Sequence, residues 1–294
     1  MKRLGIAGVC LGICLAASSA AGELRVAATI PNLGMLAREI GGDAVTVTVM
    51  APPDRDVHYL EARPSMMAAL RRADIVVSVG AELEIGWLPA AIQGANNRRV
   101  QPGQPGYFEA GRKVDLLWDD KPADRALGDV HPDGNPHIYL DPGRMAEVGK
   151  ALAERFASLR PDHAEEFRAN AERVDARIAE ETPVWRERAE GAPGVLAYHA
   201  DSDYLLAFLN VQILGHMEPL PGIPPTASHL RELVRGFQDT EGVLWSMNFH
   251  PERAGEFLSR ELGWPSFRLP SQVSMEADLE EFIEMIDEWV NTLE

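Results

Sequence analysis

Two histidines, His131 and His137, fall in a segment otherwise built from turn formers: Leu127-Gly128-Asp129-Val130-His131-Pro132-Asp133-Gly134-Asn135-Pro136-His137-Ile138-Tyr139-Leu140-Asp141-Pro142. The steps His131-Pro132 and Asn135-Pro136 restrict the residues before proline to extended backbone. Gly134 supplies a position free to turn with positive φ. A turn this stiff fixes the direction of the imidazole at its end, and a polar side chain on a rigid loop is a common way to build a site. The plainer reading is a surface turn with two incidental histidines.

Five of the other six histidines divide by position. His163 and His229 lie within or beside helical patterns and read as surface residues, and His250, before Pro251, reads as a helix cap or a solvent-facing group. His58 follows a strand by a loop, and His199 ends a strand directly. In open parallel α/β sheets, ligands bind beyond the carboxyl ends of strands. His58, His137 and His199 are therefore expected to converge in a cleft between two α/β lobes, against the alternative of separately satisfied buried histidines. Imidazole nitrogen suits zinc, copper, nickel and iron, whereas magnesium and calcium prefer oxygen.

The elements that would position these residues follow from periodicity. Strands are expected at 24–29, 45–50, 75–79, 195–198, 211–214, 243–246 and 266–269, with helices at 33–40, 64–72, 144–159, 202–208, 227–237, 252–262 and 278–293. Asn32 reads as a helix cap, as do Asp201 and Asp203. The run 75–79 is continuously apolar, as in a strand covered on both faces. This βα alternation predicts an α/β fold with mainly parallel sheets. Between the two halves, 162–188 is rich in Ala, Glu and Arg with few apolar residues, a helix polar enough to bridge domains. Pro183 should kink or break its end. The expected division is a signal peptide at 1–21, an N-terminal lobe at 22–143, a helical region at 144–190 and a C-terminal lobe at 191–294.

Composition narrows the classes. Lys2 and Arg3, an apolar core from Ile6 to Ala16 and the small residues Ser19-Ala20-Ala21 form a cleavable secretory signal too short to span a membrane. Both cysteines, Cys10 and Cys14, lie inside it, so the mature chain has neither thiol nor disulfide chemistry. Val9 and Ile13 precede them, where a lipoprotein signal needs a small residue. The net charge is −17, and removal of Lys2 and Arg3 makes it two units more negative; such acidity argues against nucleic acid as a partner.

Four segments, taken together and in order, resemble the ZnuA/TroA-like substrate-binding proteins of zinc and manganese ABC importers. They are Asp56-Val57-His58-Tyr59-Leu60-Glu61-Ala62-Arg63-Pro64-Ser65, Ala73-Asp74-Ile75-Val76-Val77-Ser78-Val79-Gly80-Ala81-Glu82-Leu83-Glu84, Gly134-Asn135-Pro136-His137-Ile138-Tyr139-Leu140-Asp141-Pro142 and Ala197-Tyr198-His199-Ala200-Asp201-Ser202-Asp203-Tyr204. The resemblance covers nearly the whole mature chain. It implies two lobes joined by one long rigid helix, within 162–188, with a metal between them on His58, His137 and His199. It also implies a periplasmic monomer that passes Zn2+, with Mn2+ the other candidate, to an inner-membrane ABC permease.

The chain departs from that pattern at the fourth ligand. The expected Asp near the last strand is missing from Ser266-Phe267-Arg268-Leu269-Pro270-Ser271-Gln272-Val273-Ser274, and the long His-rich loop before the second histidine is absent. Zinc accepts three protein ligands and a water. Glu218 and Gln272 are the other candidates for the fourth place and His131 an accessory one, although Glu218 reads first as a carboxylate stabilising its proline-rich turn. Glu82 and Glu84 read as a solvated helix start, with an imidazole-orienting role as the alternative. A secreted zinc hydrolase and a binding protein for an organic solute are the competing functions; neither a His-Glu-x-x-His helix nor a Gly-x-Ser-x-Gly turn is present.

Overall fold

The computed structural model describes residues 22–117 and 131–294. The expected signal peptide with its two cysteines, and the start of the histidine turn at 127–130, lie outside the described residues. Two parallel four-stranded sheets organise the chain. The first holds β1 (Leu24–Ala28), β2 (Val45–Val49), β3 (Ile75–Ser78) and β4 (Tyr107–Glu109) in the order β2-β1-β3-β4. The second holds β5 (Gly194–Ala197), β6 (Ile213–His216), β7 (Gly242–Met247) and β8 (Ser266–Leu269) in the order β6-β5-β7-β8. Both sheets thus share one winding. In each, the first strand lies inside and the chain proceeds to both sides of it, which places a crevice at the carboxyl ends. β3 and β7 are buried at every position, as their unbroken apolar runs require. β4 is absent from the pattern-based reading because three residues are too few to show a period.

Helices α1 (Pro31–Gly41), α2 (Pro64–Arg72) and α3 (Leu88–Ala95) accompany the first sheet. Then come α4 (Pro142–Leu159) and α5 (Ala164–Arg188), and α6 (Asp203–Leu209), α7 (Ala227–Phe237), α8 (Glu252–Leu262) and α9 (Leu279–Asn291) belong to the second half. α5 buries only Phe167, Ala171, Val174, Ile178 and Trp185, one stripe at helical spacing, and leaves the rest polar. It packs on α1, α4 and α9. Pro183 does not end it. Beyond the proline, Trp185 is fully buried and donates from Nε1 to Asp287 on α9 at 2.9 Å, and Arg188 reaches the same carboxylate at 2.9 Å. These contacts hold the last turn despite the missing N–H.

Asn32 is not a cap. α1 starts one residue earlier, at Pro31, and Asn32 is wholly buried with its side chain turned to the other half of the chain. Its Nδ2 donates to the carbonyls of Tyr139 (3.0 Å) and Ser271 (3.1 Å), and its Oδ1 accepts from the Val273 N–H (2.9 Å). Further along α1, Arg38 donates to the carbonyls of Met275 and Ala277, and Glu39 accepts from the Leu279 N–H. The segment after β8 is thereby laced along α1. Glu84 is likewise no solvated helix start. It is buried and accepts from the Thr29 hydroxyl (2.7 Å) and the Val79 (2.8 Å) and Gly80 (3.1 Å) N–H groups, bracing the turn after β3; burial pushes its carboxyl up.

Candidate metal centre

His58, His137 and His199 come together. Their ring centroids are 5.1 Å (His58–His137), 5.1 Å (His137–His199) and 5.9 Å (His58–His199) apart. One nitrogen from each lies within 4.8 Å of the others. His58 is delivered by the loop after β2. Asp56 caps the short turn Val57–Tyr59, accepting from the His58 N–H at 3.0 Å, and the same Oδ1 is 2.7 Å from His58 Nδ1. The turn at His137 repeats the device. Gly134 takes φ +112°, and Asn135 Oδ1 accepts from the His137 N–H at 3.0 Å and meets its Nδ1 at 2.7 Å. Asn135 Nδ2 donates to the Ala200 carbonyl at 2.8 Å, which settles the orientation of the amide. His199 leaves the end of β5, and its Nδ1 lies 2.9 Å from Glu218 Oε2, which also accepts from the Gly222 N–H at 3.0 Å.

Each Nδ1 faces an acceptor, so each Nδ1 carries the proton. In the neutral rings this leaves Nε2 as the nitrogen with a lone pair to offer, as in metal sites where an imidazole is oriented through its second nitrogen. His137 is 1% exposed and its Nε2 has no hydrogen-bond partner. His131 joins at the edge, its Nε2 3.1 Å from that of His58. Tetrahedral zinc with Zn–N bonds near 2.0–2.1 Å separates its nitrogens by roughly 3.4 Å. The cavity has a volume of about 340 Å³ and takes in Asp56, Glu218 and Asp201 besides the three rings.

Electrostatics separate the histidines. Burial, reinforced by the neighbouring imidazoles, holds His137 well below the ordinary histidine range. Burial also pushes His199 down, but the Glu218 hydrogen bond and the charges of Asp201 and Asp56 outweigh it and hold the imidazolium up to about 9. For Asp56, burial acts upward, yet the contacts to His58 keep the carboxyl below its usual value.

Of the other candidates, Glu218 lines the cavity through its hold on His199. Gln272 sits in the seam with Asn32, its Oε1 accepting from the Asn32 N–H at 3.2 Å, away from the residues that line the cavity. Asp201 and His250 are not the helix caps that local reading makes of them. Asp201 is 4% exposed and His250 9%, and both line the cavity. Asp203 instead meets His216 at 2.9 Å. The signal for His250 was the one that marks His199, a histidine just beyond the carboxyl end of a strand. The tethers had a signal too: Asp56 and Asn135 each stand two residues before a histidine.

Two parallel α/β lobes, a long helix between them and an imidazole-lined cavity at the strand ends define a two-lobed binding protein of the solute-capturing type. The chain belongs to the ZnuA family, zinc-uptake complex component A, periplasmic, whose model matches residues 26–294. It is 25% identical over 226 residues to the high-affinity zinc uptake system protein ZnuA of Yersinia pestis, covering 71% of this chain and 70% of that protein. It is 21% identical over 245 residues to the zinc-binding lipoprotein AdcA of Streptococcus pneumoniae, covering 80% of this chain and 48% of that protein, so it spans about half the AdcA length. Among solved structures, a crystal structure of ZnuA matches with a TM-score of 0.76 at 20% identity, over 92% of this chain and all of that one. The substrate-binding protein FpvC of Pseudomonas aeruginosa with Ni2+ matches with a TM-score of 0.73 at 23% identity, over 92% and 97% of the two chains.

Proposed function

We propose that this chain captures a divalent transition metal, zinc before manganese, in the periplasm and delivers it to an ABC permease of the inner membrane. The observation that carries this reading is the set of three imidazoles whose Nδ1 atoms each face an acceptor and of which one nitrogen each lies within 4.8 Å of the others. His58, His137 and His199 are the ligands, His131 is accessory, and the fourth position is left to water; Gln272 is not part of the set. Three nitrogens favour zinc, whereas a site richer in carboxylate favours manganese. The Yersinia pestis relative is named for zinc uptake and a Streptococcus gordonii relative for manganese transport. Both names describe transport components, and the chain is accordingly read as a binding protein rather than a hydrolase. No helix among the described residues is long and apolar enough to cross a membrane; export is assigned to residues 1–21. Competition titration of the metal-stripped mature protein against a chelator is the test. Zinc binding tighter than manganese is expected, and a chain that binds neither overturns the reading.

A further inference from the structure

The carboxylate expected after β8 is absent, yet the cavity contains one that the family pattern does not assign. Asp201 lies two residues beyond His199, buried in the cavity wall. Its Oδ2 is 3.4 Å from Nε2 of His250. His250 differs in kind from the three ligand candidates. Its Nδ1 accepts the Met247 N–H at 3.1 Å, so the proton of the neutral ring sits on Nε2. The ring is held by stacking on Tyr198, with centroids 4.3 Å apart. An imidazole in this tautomer has no lone pair to offer a metal at Nε2. It offers an N–H, and that N–H faces Asp201.

We propose that Asp201, in contact with Nε2 of His250, is the anion that faces the captured metal in place of the carboxylate missing after β8, and that it sets the affinity of the site. The proposal rests on the three-histidine reading above. A dication on three neutral imidazoles leaves two positive charges in a buried cavity. A carboxylate fixed across from it offsets them at short range, where screening by water is weak. His250 acts as a positioning residue, its Nε2 3.4 Å from one oxygen of the carboxylate. Burial makes this carboxylate costly to the metal-free fold even beside His199, so this group is retained at a cost that metal binding offsets.

The test compares zinc affinity, by chelator competition, and the melting temperature of the metal-free protein for the full mature chain and its variants. Asp201→Asn keeps the shape and removes the charge. It should weaken zinc binding by about 10- to 100-fold, the range for groups just outside the ligands, while the metal-free melting temperature holds or rises. Asp203→Asn, which removes the charge beside His216, should leave zinc affinity unchanged. His250→Leu should follow Asp201→Asn, and His250→Gln, which retains an N–H donor, should recover most of the loss. Wild-type affinity in Asp201→Asn overturns the inference and leaves the three-histidine site standing. A fall in metal-free melting temperature that accounts for the loss makes Asp201 structural and also overturns it. A wild-type chain that fails to bind zinc overturns both.

Discussion

The three imidazoles differ in what holds them, and the difference has measurable effects. Replacement of His58, His137 or His199 by Ala removes a ligand and should cost more than the loss of a tether; unchanged zinc affinity in two of the three would falsify the assignment. Asn135→Ala frees the His137 ring while leaving its Nε2 in place, so a loss of about 10- to 100-fold is expected. Glu218→Gln still accepts from His199 Nδ1 and should cost less than Glu218→Ala. Charge enters through pH. A metal takes only the unprotonated nitrogen. His199 keeps its proton up to about 9, above the usual histidine value of about 6.5, and must shed it on loading, whereas His137 is already neutral. At pH 7, zinc binding should therefore release about one proton, and affinity should climb as pH rises from about 7 toward about 9. Calorimetry in buffers of different ionisation enthalpy measures the release. No release would mean that His199 is neutral in the free protein. Glu218→Gln should lower the release, because it removes the charge beside the ring.

Among the elements, α1 and the segment after β8 form the seam. Asn32→Ala strips partners from the Val273 N–H and from the Tyr139 and Ser271 carbonyls. Buried polar groups left unpaired cost about 1–3 kcal/mol each, so urea unfolding of the metal-free variant should show a loss of at least about 2 kcal/mol. A change within error would mean that water replaces the amide. Strands with apolar runs and helices with clear stripes are legible: α7, α8 and β8 fall where periodicity places them. Asn32 and Asp201 are not, because an Asn or Asp ahead of an apolar run satisfies the local rule for a cap. Their real partners are distant or inside a cavity: Asn32 bonds to residues some 240 positions away, and no short-range pattern encodes that. The histidines at strand ends were legible as a set because three-dimensional convergence follows from topology. His250 carries the same mark but is masked by the proline after it, which suggests a helix start. Pro183 misleads in the opposite sense, since a tryptophan anchored on α9 keeps the helix going.

On the scale of the whole molecule, a ligand that binds only the folded chain adds to its stability by mass action. Zinc at 100 times its Kd should add about 2.7 kcal/mol, visible as a raised melting temperature, and His58→Ala should lose most of that gain. A wild-type melting temperature indifferent to zinc would contradict binding between the lobes. The stitching around His137 bears on how the ion leaves. From one side, Asn32 grips the Tyr139 carbonyl, two residues after the histidine. From the other, Asn135 reaches the Ala200 carbonyl and the Tyr204 hydroxyl donates to the Asn135 carbonyl at 2.6 Å. The turn that carries His137 is thus fastened to both halves. His58 stands on the first half and His199 on the second. Were the halves to part, His58 and His199 would separate while His137 stayed tied to each side, a fixed post between two departing ones.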